Sequence, residues 1–168
     1  MTTLAHLTRV SALRLTAFAL FHLVIAFTPA ASQVSVASAD QRFFGKWVLN
    51  KAQSQISHTG DDYKSVQWRR YEPDGDRVKV SWGNSAGQIG TYSARCDRAI
   101  EPAASGRIRC WRTESGDIEG EQLDPSDKVH RYYRRAVSSD GKTLTIVWYT
   151  DAKRRHEIER WVYTKVDQ

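Results

Sequence analysis

The sequence predicts an all-β fold: one antiparallel up-and-down β-barrel of eight to ten strands, behind an N-terminal signal peptide. Three observations lead there. Short segments rich in aromatic and β-branched residues recur along the 168 residues, separated by clusters of Gly, Pro, Asp and Ser. Two segments alternate with period two: Val78, Val80 and Trp82 share one face, and Leu144, Ile146 and Trp148 share another. No stretch keeps a helical period. Strands at this spacing fit a sandwich or a closed barrel, and the barrel reading has the sheet close on its own first strand, near Trp47.

Residues 1–39 come first. They hold no acidic residue, carry Arg9 and Arg14, continue with a largely apolar run from Leu15 to Phe27, and end Ala37-Ser38-Ala39. A basic start, a short apolar middle and an A-x-A site describe a secretory signal peptide. The run is shorter than the roughly 20 residues of a spanning helix, which disfavours a retained anchor. Cleavage after Ala30 or Ala31 is an alternative. No cysteine lies in this segment to carry a lipid. The expected mature chain, 40–168, is long enough for one domain. It is placed in the periplasm or secreted, with no membrane span once the signal is removed. Its basic and acidic residues number 23 and 19, a net charge of +4. So mild and scattered an excess reads as a solvated surface rather than a nucleic-acid patch, and no nucleic-acid partner is expected. The densest cluster, Lys153-Arg154-Arg155-His156, reads as a hairpin tip.

The mature chain opens with Phe43-Phe44-Gly45-Lys46-Trp47-Val48-Leu49-Asn50, a strand by composition. Lys51 to Ser57 is polar and reads as one helical turn or a lid over the barrel mouth. Tyr63 to Tyr71 is the second strand, and Glu72-Pro73-Asp74-Gly75-Asp76 a turn, since proline presets one bend and glycine tolerates positive φ. Arg77 to Trp82 follows, then a turn at Gly83 to Gly87. Gln88 to Cys96 and Arg107 to Thr113 read as a hairpin about Glu101-Pro102-Ala103-Ala104-Ser105-Gly106. Its centre at residue 103 would set Cys96 opposite Cys110, within disulfide reach, and an oxidising compartment makes pairing the default. A weaker strand ends at Leu123. Lys128 to Val137, Lys142 to Thr150 and Arg155 to Val166 complete the set, separated by Asp124-Pro125-Ser126-Asp127, Ser138-Ser139-Asp140-Gly141 and the basic tip.

Three segments in chain order resemble a known group: Gly45-Lys46-Trp47-Val48-Leu49-Asn50, Tyr71-Glu72-Pro73-Asp74-Gly75-Asp76 and Ser139-Asp140-Gly141-Lys142-Thr143-Leu144-Thr145. The first is similar to the G-x-W opening of the calycins, which include lipocalins and fatty-acid-binding proteins. The set resembles small exported bacterial lipocalin-like proteins, which begin G-T-W-K-L-N and carry Y-E-P-D-G-D and S-x-D-G-K-T-L-T. The resemblance implies an antiparallel barrel around a cavity for a small, often apolar molecule. Fatty-acid-binding proteins often end R-x-Y-E-K, whose Arg and Tyr hold a carboxylate. Here Trp161 stands at the arginine position of Trp161-Val162-Tyr163-Thr164-Lys165, and Arg160 is one residue off, on the opposite face. Fatty acid is therefore not the specific ligand expected.

Small-molecule sites are usually aromatic pockets with a few polar anchors. Trp82 and Trp148, which end clean apolar faces, are the leading ligand-binding residues, followed by Tyr92, Tyr133 and Tyr163. Ordinary core filling is the competing account. The last strand is ambiguous, because Ile158 and Val162 share one face and Trp161 and Tyr163 the other. Gly45 and Trp47 are expected to plug one barrel end, with Lys165 as a cation partner for the ring. On the Arg131 to Arg135 stretch, either Arg131 and Arg135 or Arg134 alone faces inward. Exposure is favoured for charged side chains, while an inward arginine would point to an anionic group on the ligand.

No catalytic constellation, cofactor motif or metal set is present. His58, His130 and His156 lack ligand spacing, and adjacent Asp61 and Asp62 would face opposite ways on a strand. No G-x-S-x-G occurs. The reading is a non-enzymatic binding protein for a small hydrophobic or amphipathic molecule. The alternative is a protein-interaction or hydrolase-inhibitor barrel of the cell envelope, using Lys51 to Asp62 and Lys153 to His156.

Overall fold

The computed structural model describes residues 41–56, 66–104 and 106–166. The expected signal peptide, His58, Asp61, Asp62 and the start of the expected second strand lie outside them. Ten strands form one antiparallel sheet: β1 (Gly45–Leu49), β2 (Trp68–Asp74), β3 (Arg77–Asn84), β4 (Gly87–Ala94), β5 (Asp97–Ala103), β6 (Gly106–Arg112), β7 (Ile118–Leu123), β8 (Val129–Val137), β9 (Thr143–Tyr149) and β10 (Glu157–Val166). The hydrogen-bonded order is β4-β3-β2-β1-β10-β9-β8-β7-β6-β5. Each strand thus pairs with its sequence neighbour, and β10 returns to β1, with Trp47 opposite Lys165 and Leu49 opposite Tyr163. The sheet curls into a nearly closed barrel.

The alternating faces decide what lies inside. Along β3, Val78, Val80 and Trp82 are buried, and Leu144, Ile146 and Trp148 match them on β9. On β10 the ambiguity resolves toward Trp161 and Tyr163, both buried and stacked with centroids 6.4 Å apart, while Ile158 is exposed. Val162, on the other face, is covered where Ser54 hydrogen-bonds its backbone after a 3-10 turn at Lys51–Gln53.

One end of the barrel carries the β2–β3, β4–β5, β6–β7 and β8–β9 connections. Trp47 fills it: the ring is fully buried, its Nε1 donates to the Phe43 carbonyl at 2.7 Å, and Phe43 packs on Tyr71 at 5.9 Å. Lys165 Nζ stands 5.1 Å from the Trp47 ring centroid, and its side chain runs beside Gly45.

The expected hairpin around residue 103 needs correction. Gln88 to Cys96 does not pair with Arg107 to Thr113. β4 pairs with β3, and a separate strand, β5, occupies the stretch read as a turn and pairs with β6. The bend falls between Ala103 and Gly106, so the uninterrupted register would miss Cys96. A bulge between Asp97 and Ile100 shifts the register, and Cys96 meets Cys110 in a disulfide with Cα atoms 4.3 Å apart. Cys96 and Arg98 take positive φ of 52° and 75°, the sharp corner this requires.

No ladder joins β4 to β5. Side chains lace this seam near the corner. Glu101 of β5 accepts the Arg95 amide at 3.1 Å and pairs with Arg77 at 2.7 Å. Arg112 of β6 donates to the Arg95 and Cys96 carbonyls.

Asp residues organise the turns. Asp124 Oδ1 accepts from Ser126 and Lys128, Asp140 Oδ1 from Ser138 and Lys142, and Asp151 from the amides of Lys153, Arg155 and His156. These bonds favour the carboxylate, led by Ser126, Ser138 and the His156 amide respectively, and hold each pKa below its ordinary value. A depressed folded pKa gives stability that is present above the unfolded value, about 3.9, and is lost as pH falls through the folded value. The urea midpoint is therefore expected to stay level from pH 7 to about 4 and to decline below it. A midpoint still level at pH 2.5 would show that the turns contribute nothing.

Candidate functional site

The interior cavity sits toward the other barrel end. It is lined by Arg69, Trp82, Tyr92, Ala103, Ile108, Gln122, Tyr133, Arg135 and Trp148, and about 30 Å³ of it admits the centre of a water molecule. Four of the five expected ligand-binding residues meet here. Trp82 of β3 and Tyr92 of β4 tilt together at 6.0 Å, and Tyr133 of β8 meets Trp148 of β9 edge-on at 5.3 Å. Two strand glycines make room for them. A Cβ on Gly90 would run into the Trp82 ring, and one on Gly120 into Tyr133.

Tyr163 is fully buried but stands off the cavity wall, joined to it through Arg69, whose Nε donates to Tyr163 Oη at 3.0 Å. Arg69 of β2 also lies 5.6 Å from the Trp82 ring and 5.8 Å from the Trp161 ring. Arg135 of β8 lies 4.4 Å from the Tyr133 ring and 5.7 Å from that of Tyr92. Both arginines are only 4 % exposed. Burial opposes their charge, yet both pKa values stand above the ordinary arginine value, and a guanidinium so basic keeps its proton. Burial likewise pushes the Tyr92, Tyr133 and Tyr163 hydroxyls above the ordinary tyrosine value, against the pull of the arginines. They are neutral at pH 7.

The preference for exposed arginines on β8 is thus corrected at one position. Arg135 faces inward with Tyr133, by period two. Arg131, on the same face, lays its guanidinium 4.0 Å over Trp148 and donates to Gln122 at 2.7 Å. Arg134 is outside, paired with Asp117 at 2.6 Å. In the basic tip, Arg154 folds back onto Glu119 at 3.3 Å, and His156 meets Asp151 at 3.1 Å. Among the described residues no three His, Cys, Asp or Glu side chains converge on a point.

Sequence reasoning missed Arg69 and Gln122. Arg69 lies two residues before buried Tyr71, so alternation carried the signal. Trp68 and Arg70 on the other face made the parity of β2 undecidable without its partners.

No protein-family model matches the chain, and no curated protein matches it. Solved structures do. Apo lipid binding protein 8 of Caenorhabditis elegans matches with a TM-score of 0.54 at 13 % identity, over 74 % of this chain and 96 % of that one. The REP1-NXSQ fatty acid transporter matches with a TM-score of 0.50 at 14 % identity, over 74 % and 96 %. A mutant of that transporter gives 0.53 at 12 % identity, over 73 % and 97 %. The chain has the calycin fold. At these identities the likeness is one of fold alone.

As a calycin barrel, it departs from the carboxylate clamp where the sequence departs. Trp161 occupies the inward arginine position, and Arg160 points outside to Glu157 at 2.6 Å. Tyr163 nonetheless bonds an arginine, brought from β2 instead of from its own strand.

Proposed function

We propose that the chain is exported and that its calycin barrel binds a small hydrophobic or amphipathic molecule. The observation that carries this reading is the cavity walled by Trp82, Tyr92, Tyr133 and Trp148 with a few polar groups set among them, the composition of small-molecule sites in general. The lipid-binding and fatty-acid-transporting neighbours support it, as does the disulfide for an oxidising compartment. Catalysis is not part of the reading, since among the described residues no nucleophile–base pair or metal set lines the cavity.

Native mass spectrometry of the purified chain, with tryptophan quenching by a panel of neutral lipids, aromatic compounds and short and long carboxylic acids, tests it. Saturable quenching by one class, abolished in Trp82→Phe/Trp148→Phe, is the expected result. Emission unchanged across the panel, with no ligand mass retained, would overturn the reading.

A second reading, protein interaction, is favoured by the outer face of β1 to β4. There Lys46, Trp68, Arg70, Glu72, Lys79, Ser81 and Gln88 line a groove. A pull-down that returns a specific partner and loses it on Trp68→Ala would favour this reading.

A further inference from the structure

We propose that the barrel interior holds a small planar oxyanion, of carboxylate or bicarbonate size, between Arg69 and Arg135. This rests on the interior being a binding site and names the chemistry that site selects.

The charge balance comes first. Several arginines on the outer surface have carboxylate partners: Arg109 has Glu121, Arg134 has Asp117, and Arg160 has Glu157. Arg69 and Arg135, the two most deeply buried, have none among the described residues. Their neighbours are aromatic rings and tyrosine hydroxyls. The buried carboxylates among the described residues are committed elsewhere, Glu101 to Arg77, Asp117 to Arg134 and Glu159 to Trp161 Nε1. Two uncompensated guanidiniums in a low-dielectric interior are costly, and they repel each other.

Hydrogen bonding points the same way. Among the described residues, Arg135 Nε and the hydroxyls of Tyr71, Tyr92 and Tyr133 are buried without a hydrogen-bond partner. Tyr92 Oη lies near Arg135 but outside hydrogen-bond geometry. Buried polar groups are normally satisfied, and each exception calls for a reason. All four are donors, one on Arg135 itself and three on tyrosines whose rings lie within 6.0 Å of its guanidinium. An acceptor-rich anion answers those on the cavity wall, Arg135, Tyr92 and Tyr133, and a planar oxyanion suits the flat guanidinium fork.

Size completes the argument. A water needs about 10–15 Å³ of such space, so the 30 Å³ here corresponds to about two waters. A group of three or four heavy atoms replaces two waters. A long acyl chain would have to displace Trp82 or Trp148. The arrangement therefore favours a short acid or bicarbonate over a fatty acid.

The test uses the folded chain in a non-coordinating buffer at constant ionic strength. Calorimetric titration and thermal melts are run with formate, acetate and bicarbonate, and with chloride and decanoate as comparisons. Saturable binding of at least one short oxyanion, with a matching rise in Tm that chloride does not give, is expected. Arg135→Met should weaken that binding at least about tenfold, as expected for loss of a charge-assisted bond, and Arg134→Met should leave it unchanged. Should Arg135→Met fail to fold, Tyr92→Phe, which removes one donor and keeps the ring, should still weaken it measurably. Short-anion binding indifferent to both Arg135→Met and Tyr92→Phe would overturn the proposal. Decanoate or a neutral lipid binding where short anions neither bind nor compete would overturn it and leave the broader reading standing. A folded chain that binds none of these probes would overturn both.

Discussion

Replacing Trp47 with alanine is expected to destabilise the barrel by about 3–5 kcal/mol, the range for truncating a large buried aromatic side chain. The ring is fully buried at the end where four inter-strand connections gather. Three separate losses combine there. Removing the indole leaves a cavity in the packed core that also holds Phe43 and Tyr71. The Phe43 carbonyl loses its 2.7 Å donor inside the core. The Lys165 ammonium loses the ring face 5.1 Å away. Trp47→Phe separates these effects, since it keeps much of the volume and removes only the donor, and should cost clearly less. Urea unfolding of the three proteins measures the difference. A Trp47→Ala cost below about 1 kcal/mol, the scale of an ordinary substitution, would mean that this end is loosely filled and that Trp47 does not plug it.

Removing the disulfide, by Cys96→Ser with Cys110→Ser, is expected to cost about 3 kcal/mol for a closed loop of this length. The loss has a location as well as a size. Cys96 sits at the corner where β4 ends and β5 begins, and no backbone ladder joins those strands. Without the cross-link, the start of β5 is held by the Glu101 bonds to Arg77 and Arg95 and by Arg112 reaching the corner carbonyls. Amide exchange should therefore accelerate first at Asp97 to Glu101 and leave β9 and β10 protected. Uniform acceleration across all strands would show that the bridge acts only through the unfolded chain. No change in melting temperature would show that the side-chain lacing alone suffices.

Much of this architecture was readable from the residues in order. Alternation at Val78, Val80, Trp82 and at Leu144, Ile146, Trp148 determined which faces look inward, because a strand has only two faces and the side chains obey period two. The turns at Asp74-Gly75, Asp124-Pro125 and Asp140-Gly141 marked three of the reversals, and the Trp47 segment marked the strand on which the sheet closes. That four of the expected aromatic residues share one cavity follows from the same parity rule, applied strand by strand.

What the tertiary structure alone decided is register and company. The bulge between Asp97 and Ile100, which turned an expected loop into β5, depends on which strand lies alongside. The inward placement of Arg69 and Arg135 contradicts the general preference of charged side chains for water. Their meeting with Tyr71, Tyr92, Tyr133 and Tyr163 joins residues far apart in sequence. Periodicity is a property of one strand, whereas a binding site belongs to the closed sheet. Only closure brings those strands round a common axis and leaves two buried cations facing neutral hydroxyls.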